Sequence, residues 1–226
     1  MSRITRGLAA GGYRRGGALK GCLVALGILA LLVGIGAFFV ATHWRGWAAS
    51  GMKTVAVQAI NQSDLPAGEK PDMVAHVEDY ADAFKAGDVN VEQFTKTMQA
   101  LAEGSLIPVG MVQGIEEAYV KPSGLPDEEK AAATLALQRF ARGLHESKIP
   151  VDAFEAMAAP IGETNEDGDF HLKAKGEVTD DMLREAIANA KSKADEAGIA
   201  QEPFVIDMSD ELKKLLDANR TTPSGG

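Results

Sequence analysis

GDVNVEQF, residues 87–94, is followed by two stretches of the same design, SKIPVDAF at 147–154 and GEVTDDML at 176–183. In each, a β-branched apolar residue precedes Asn, Pro or Thr. An acid comes two places on, and a large apolar residue sits five places after the first. That spacing matches a hydrophobic staple, in which the residue just before a helix cap packs against one a turn inside. The pairs are Val89 with Phe94, Ile149 with Phe154, and Val178 with Leu183. Asn90 and Thr179 carry side-chain oxygens able to accept from the free N–H groups of a first turn, whereas Pro150 only pre-sets the turn. Gly87 and Gly176 suit the left-handed end of a preceding helix. Each stretch reads as helix, tight corner, helix, and together they predict an all-α fold for most of the chain.

The three corners resemble the Gly-x-Ile-Thr-x-Glu-Glu-Phe corner of the short C-terminal helical-hairpin modules found in many bacterial membrane-associated proteins. The resemblance covers eight residues at a time and implies local helix–corner–helix geometry. The copies start 60 and 29 residues apart. A solenoid needs a fixed period, so the pattern predicts a helical bundle with recurrent corners.

Helical spacing extends outward from the corners. Met73, Val77, Tyr80 and Phe84 predict a helix over Pro71–Ala86, and others are expected at about 91–103 and 108–120. Lys121–Leu125 reads as a loop. Pro126 then opens a long helix to about Glu146, with Asp127, Glu128 and Glu129 in the first turn, where acids suit the dipole. Shorter helices are expected at 151–159, 180–196 and 210–219. The interruption is IGETNEDGDFHLKAK, residues 161–175, where Asp167-Gly168 predicts a small β-hairpin near 161–173. Glu163, Asn165, Asp167 and Gly168 imitate the start of a calcium loop. Ala174 stands where a bidentate Glu is required, so the turn reading is preferred.

Upstream lies a segment of different character. Gly21–Thr42 is 22 residues without a charge. As a helix it spans roughly 33 Å, against a hydrocarbon core of about 30 Å. The run is too long for a secretory signal, and Phe38 and Phe39 stand near its far end. Residues 21–43 are therefore expected to be a transmembrane signal-anchor helix. The alternative is a cleaved signal releasing a secreted helical protein. Leu19–Cys22 imitates a lipobox, but Cys22 precedes the apolar run and Lys20 sits inside the motif. Arg3, Arg6, Arg14, Arg15 and Lys20 lie before the span, against Arg45 and Lys53 after it. This predicts a cytoplasmic N-terminus and a periplasmic or other extracytoplasmic C-terminal domain, on the inner membrane of a bacterium. Gly27, Ala30, Gly34, Ala37 and Ala41 fall on one face of the span. Such a stripe lets two membrane helices approach and points to self-association, although Gly and Ala are common in membrane helices.

The expected organisation is a basic cytoplasmic tail (1–20), the span (21–43), a juxtamembrane helix and linker (44–70), an acidic α-helical domain (71–220) and a disordered tail (221–226). Residues 46–226 hold 17 basic and 32 acidic residues, a net −15. That balance excludes nucleic-acid binding through phosphates, which needs a basic footprint. The domain has no cysteine, so packing alone must hold it. No G-x-S-x-G, H-E-x-x-H or Walker motif is present, and no cofactor is implied. Asp72, His76 and Asp79, spaced four and three, are the nearest approach to a metal site, with no fourth ligand to name. The reading is a non-enzymatic domain for protein–protein interaction, scaffolding or sensing, with an unidentified protein partner besides the bilayer. The alternative is a membrane-tethered enzyme or metal-dependent module using helix-face carboxylates.

Overall fold

The computed structural model describes residues 44–166, 168 and 170–220. The expected span, its stripe of small residues, the basic tail and the C-terminal tail lie outside them. Among the described residues no helix is long and apolar enough to cross a membrane. The chain divides into two units, Met1–Trp47 and Ala48–Gly226.

The second unit is mostly helical. Residues 44–62 form α1, which continues into it. After it come α2 (Lys70–Ala86), α3 (Val91–Glu103), α4 (Leu106–Ile115), α5 (Asp127–His145), α6 (Ala153–Ala158), α7 (Asp180–Glu196) and α8 (Met208–Arg220). Between α6 and α7 stands an antiparallel pair, β1 (Gly162–Thr164) and β2 (Phe170–Leu172), with Glu163 opposite His171. The helices form two groups that share α4: α5 packs against α4 and α7, while α8 packs against α2, α3 and α4. The α5–α7 seam is rich in alanine. Ala133, Ala136 and Ala141 are buried on α5, and Ala186, Ala190 and Ala194 on α7. Small side chains let two helices approach closely. Leu137, Phe140 and Leu144 supply bulk from the same buried face of α5.

Two corners are built alike. After α2, Gly87 adopts φ 95°, and the N–H groups of Asp88 and Val89 both donate to the Ala83 carbonyl. After α5, Ser147 adopts φ 55°, and the N–H groups of Lys148 and Ile149 both donate to the Gly143 carbonyl. Val89 and Ile149 are buried. Phe94 is half-buried with its ring stacked on Phe84, centroids 4.6 Å apart. Phe154 is buried and meets the Phe170 ring edge-on at 6.3 Å. Asn90 caps α3 in full: its side chain accepts from the Gln93 N–H at 2.9 Å, and Gln93 Oε1 accepts from the Asn90 N–H at 2.8 Å. Replacing Asn90 by Ala is expected to cost about 1 kcal/mol, read as a melting shift of about 2–4 °C in the full chain.

The third corner differs. Gly176 does not end a helix in the left-handed region; it lies inside a single 3₁₀ turn, Lys175–Glu177, that follows β2. Thr179 still caps α7 through its hydroxyl, which accepts from the Met182 N–H at 3.3 Å. Val178 is half-buried and Leu183 is buried.

Other boundaries shift for local reasons. The helix expected to begin at Pro108 starts at Leu106, because Pro is tolerated in a first turn whose N–H groups are free anyway. It is also not α-helical throughout. Residues Glu116–Val120 form a π-helical turn, closed by Lys121 N–H on the Glu116 carbonyl at 3.0 Å. Ala118, Tyr119 and Val120 are consecutively buried there. Pro126 is the cap of α5 rather than its first residue. The last helix begins at Met208, not at residue 210, because Asp207 Oδ1 accepts from the N–H groups of Ser209 and Asp210, both at 3.0 Å. Those donors hold the Asp207 carboxyl below its usual range.

Candidate functional site

α4 is the most uniformly apolar helix of the unit, LIPVGMVQGI. A helix apolar all round must be covered on every face. Val109, Val112 and Ile115 are buried in the core. The opposite face, with Ile107, Gly110 and Met111, opens into a cavity of about 490 Å³. α1 contributes Ala56, Ala59 and Ile60 to this groove, and α2 contributes Met73 and Val77. α8 adds Met208 and Leu212, and β2 adds Leu172. Ile107 is 53% exposed, so the groove has an apolar lip.

The loop after α1 forms part of the lining. Ser63 and Asp64 are its only polar side chains there, and both are held. Ser63 Oγ donates to the Ile60 carbonyl at 2.7 Å, and Asp64 Oδ1 pairs with Lys175 Nζ at 2.9 Å. The glycines of α4 make room for this loop. A Cβ on Gly110 would lie 3.0 Å from Met208 Cε and 3.5 Å from Leu65 Cδ2. Beside the loop, Tyr119 Oη donates to the Lys173 carbonyl at 2.7 Å. Burial, then the nearby Asp64 carboxylate, push the Tyr119 phenol up.

α8 is fixed by a second carboxylate. Glu69 Oε2 accepts from the Met208 N–H at 2.8 Å. Burial raises the Glu69 carboxyl, and the Met208 hydrogen bond opposes that shift. On the other side of α4, Gln113 Nε2 donates to the Ile206 carbonyl at 2.9 Å. The segment entering α8 is thus tied down by Glu69 and by α4, and its Met208 lines the groove.

The carboxylate alternative finds no such assembly. Asp79 pairs with Arg220 at 2.9 Å, and His76 is half-buried. Asp72 is exposed. Among the described residues no group of three His, Cys, Asp or Glu could hold a metal ion. In the hairpin, Glu163 Oε1 faces His171 Nε2 across the strands at 2.9 Å, and Asn165 offers its carbonyl to the Gly168 N–H at 3.1 Å. Glu116, on the π turn, is the groove-side helix's one carboxyl raised by burial, with Gln138 and Thr134 of α5 bonding to it.

No protein-family model, curated protein or solved structure matches the chain. The groove's own geometry therefore decides what it can do. It is an apolar receptacle whose two polar side chains, Ser63 and Asp64, are each bonded within the unit, which suits holding an apolar surface. None of the corner residues singled out in the sequence lines the groove. The groove itself was carried by one signal in the sequence, the all-round apolarity of LIPVGMVQGI.

Proposed function

We propose that the chain is a single-pass bacterial inner-membrane protein whose acidic, extracytoplasmic helical unit is non-enzymatic and holds a protein partner in the groove beside α4. The observation that carries the partner-binding half is a cavity of about 490 Å³ walled almost wholly by apolar side chains. A hydrophobic groove open at the surface is the kind of site in which the apolar face of a partner helix is held. The anchor half rests on the 22 uncharged residues Gly21–Thr42 and on the excess of basic residues before them.

Two measurements test it. A C-terminally tagged chain should be recovered from the membrane at full-length mass, with the tagged unit cut by protease added to spheroplasts. A soluble product short of about the first 50 residues would mean a cleaved signal. Separately, a photo-crosslinking residue at Ile107 should give a discrete protein adduct in intact cells, while the same probe at exposed Ala188, on the outer face of α7, should not. Equal adducts at both positions would remove the groove from the reading.

A further inference from the structure

The outer side of α1, turned away from the groove, is unlike the rest of the surface. We infer that it pairs with the same side of a second copy of the chain, the two α1 helices running parallel. The inference rests on the anchor half of the proposed function and is independent of the groove.

The first observation is a glycine. Gly51 lies inside α1, where glycine costs about 1 kcal/mol relative to alanine. Its φ is not positive, and among the described residues no atom lies within 4 Å of where a Cβ would stand. Nothing in its own unit accounts for a glycine there. A second helix packed closely against it does, because small residues let two backbones approach.

The second observation is charge. The exposed residues of α1, among them Gly51, Val55, Gln58 and Gln62, include no charged side chain, on a unit whose residues 46–226 carry a net −15. Val55 is 69% exposed. In a symmetric pair of parallel helices each residue at the seam meets its own copy, so a charge there would meet its like. An uncharged strip is what pairing of like with like requires. The amides of Gln58 and Gln62 both donate and accept, so each is able to bond to its own copy. The opposite side of α1 is already used: Ile60 is buried, Lys53 pairs with Glu78 of α2 at 3.0 Å, and Ala56 lines the groove.

The third observation is what precedes α1 in the chain. Counted along the sequence, the three-and-four spacing of Gly27, Ala30, Gly34, Ala37 and Ala41 continues through Trp44 to Ala48, Gly51, Val55, Gln58 and Gln62. This is the heptad spacing that keeps one seam between parallel helices. The uncharged run ends at Thr42, and α1 is described from Trp44. Two copies held by that run in one bilayer emerge on the same side and in the same direction. Their confinement raises the effective concentration of one α1 for the other, so a short seam suffices.

The test uses the full chain in its own membranes, in a Cys22→Ser background with single cysteines introduced. Under mild oxidation, disulfide-linked dimer should be at least about fivefold more abundant for Val55→Cys and Gln62→Cys than for Ser50→Cys, exposed on α1 off the seam, or for Ala188→Cys, exposed on α7. With Gln62→Cys as reporter, Val55→Glu should lower the dimer at least about fivefold by setting two carboxylates against each other, whereas Ser50→Glu should not. Position 55 is open to solvent, so the substitution leaves the unit folded, and co-production with Val55→Lys copies should restore the cross-link. Equal cross-linking at all four positions would overturn the inference. So would a Gln62→Cys dimer that Val55→Glu leaves unchanged, which would place the contact between copies elsewhere in the chain. Full-length chain in the membrane without preferential cross-linking refutes the pairing alone. A soluble, shortened chain refutes the anchor and, with it, the membrane-held pair.

Discussion

Arg139→Leu is expected to lower the melting temperature of the full chain by roughly 6–12 °C, from a loss of about 3 kcal/mol. Arg139 is 4% exposed in the middle of α5. Its Nη2 donates to the Ile199 carbonyl at 2.6 Å, and its Nε is shared between the Ile199 and Ala200 carbonyls at 3.2 and 3.1 Å. The same guanidinium pairs with Asp195 at 2.7 Å. Replacing a buried ion pair by apolar side chains is often neutral, so the sign depends on which groups lose a partner. Asp195 is not the source of the loss. Its side chain is 41% exposed, and it keeps Lys191 at 2.8 Å. The Ile199 carbonyl is the source, because it is buried, Leu gives it no donor and an unsatisfied buried acceptor costs about 1–3 kcal/mol.

The consequence should be local as well as global. Residues 197–207 join α7 to α8, and Arg139 holds their start while Gln138 Oε1 accepts from the Phe204 N–H at 3.2 Å. Hydrogen exchange in this segment should accelerate in Arg139→Leu beyond the rate expected from the lost stability. Arg184→Leu is the control. Its guanidinium pairs at the surface with Glu129 at 2.8 Å and Asp181 at 2.9 Å, both outside that segment. Exposed pairs of this kind contribute about 0–1 kcal/mol. If both variants melt alike, the clamp does not hold the segment.

Nothing in ALQRFARGL distinguishes Arg139 from Arg142 by type, and that marks where the sequence stops being legible. Helices read well where their ends are set by neighbours in the chain. α3 begins where Asn90 can reach Gln93, and α7 begins where Thr179 can reach Met182. The hairpin is likewise local, with Gly168 taking φ 90° between β1 and β2. Misreadings arose where a distant partner or a second local signal intervened. Gly176 looked like a helix end, but a strand precedes it. Asp207 supplied a cap earlier than the apolar spacing implied. The Asp72, His76 and Asp79 stripe was correctly spaced for one helix face, yet α8 brings Arg220 to Asp79. The groove depends on α1, α2, α4 and α8 meeting, which no local window contains. Its only trace is that α4 has no polar face to give to water.

The two like corners contain a compensation that should be reproducible by substitution. In the first, the carbonyl that receives both N–H groups belongs to Ala83 and the buried residue is Val89; in the second they are Gly143 and Ile149. One pair has the extra methyl on the helix, the other on the corner. The geometry explains the exchange. A Cβ on Gly143 would lie 2.4 Å from Ile149 Cδ1 and 2.7 Å from its Cγ1. Ile149 is 2% exposed, and its N–H is bonded to Gly143 itself at 3.0 Å, so neither side chain nor backbone can draw back. Overpacking of this kind costs about 1–3 kcal/mol, against about 1 kcal/mol gained by replacing Gly in a helix. Gly143→Val, with two further methyls, should therefore lose about 3 kcal/mol or more. Ile149→Val alone should lose about 1 kcal/mol from the emptied space. Gly143→Ala combined with Ile149→Val recreates the Ala–Val pair of the first corner: it removes Cδ1, and the smaller Val, with the space of that methyl freed, turns its Cγ1, otherwise 2.7 Å from the new Cβ, into another staggered rotamer. The double variant should melt within about 2 °C of the wild type, although the two single losses sum to about 1–3 kcal/mol. Strict additivity of the two single losses would show that the corner yields elsewhere and that Gly143 is not placed there to admit Ile149.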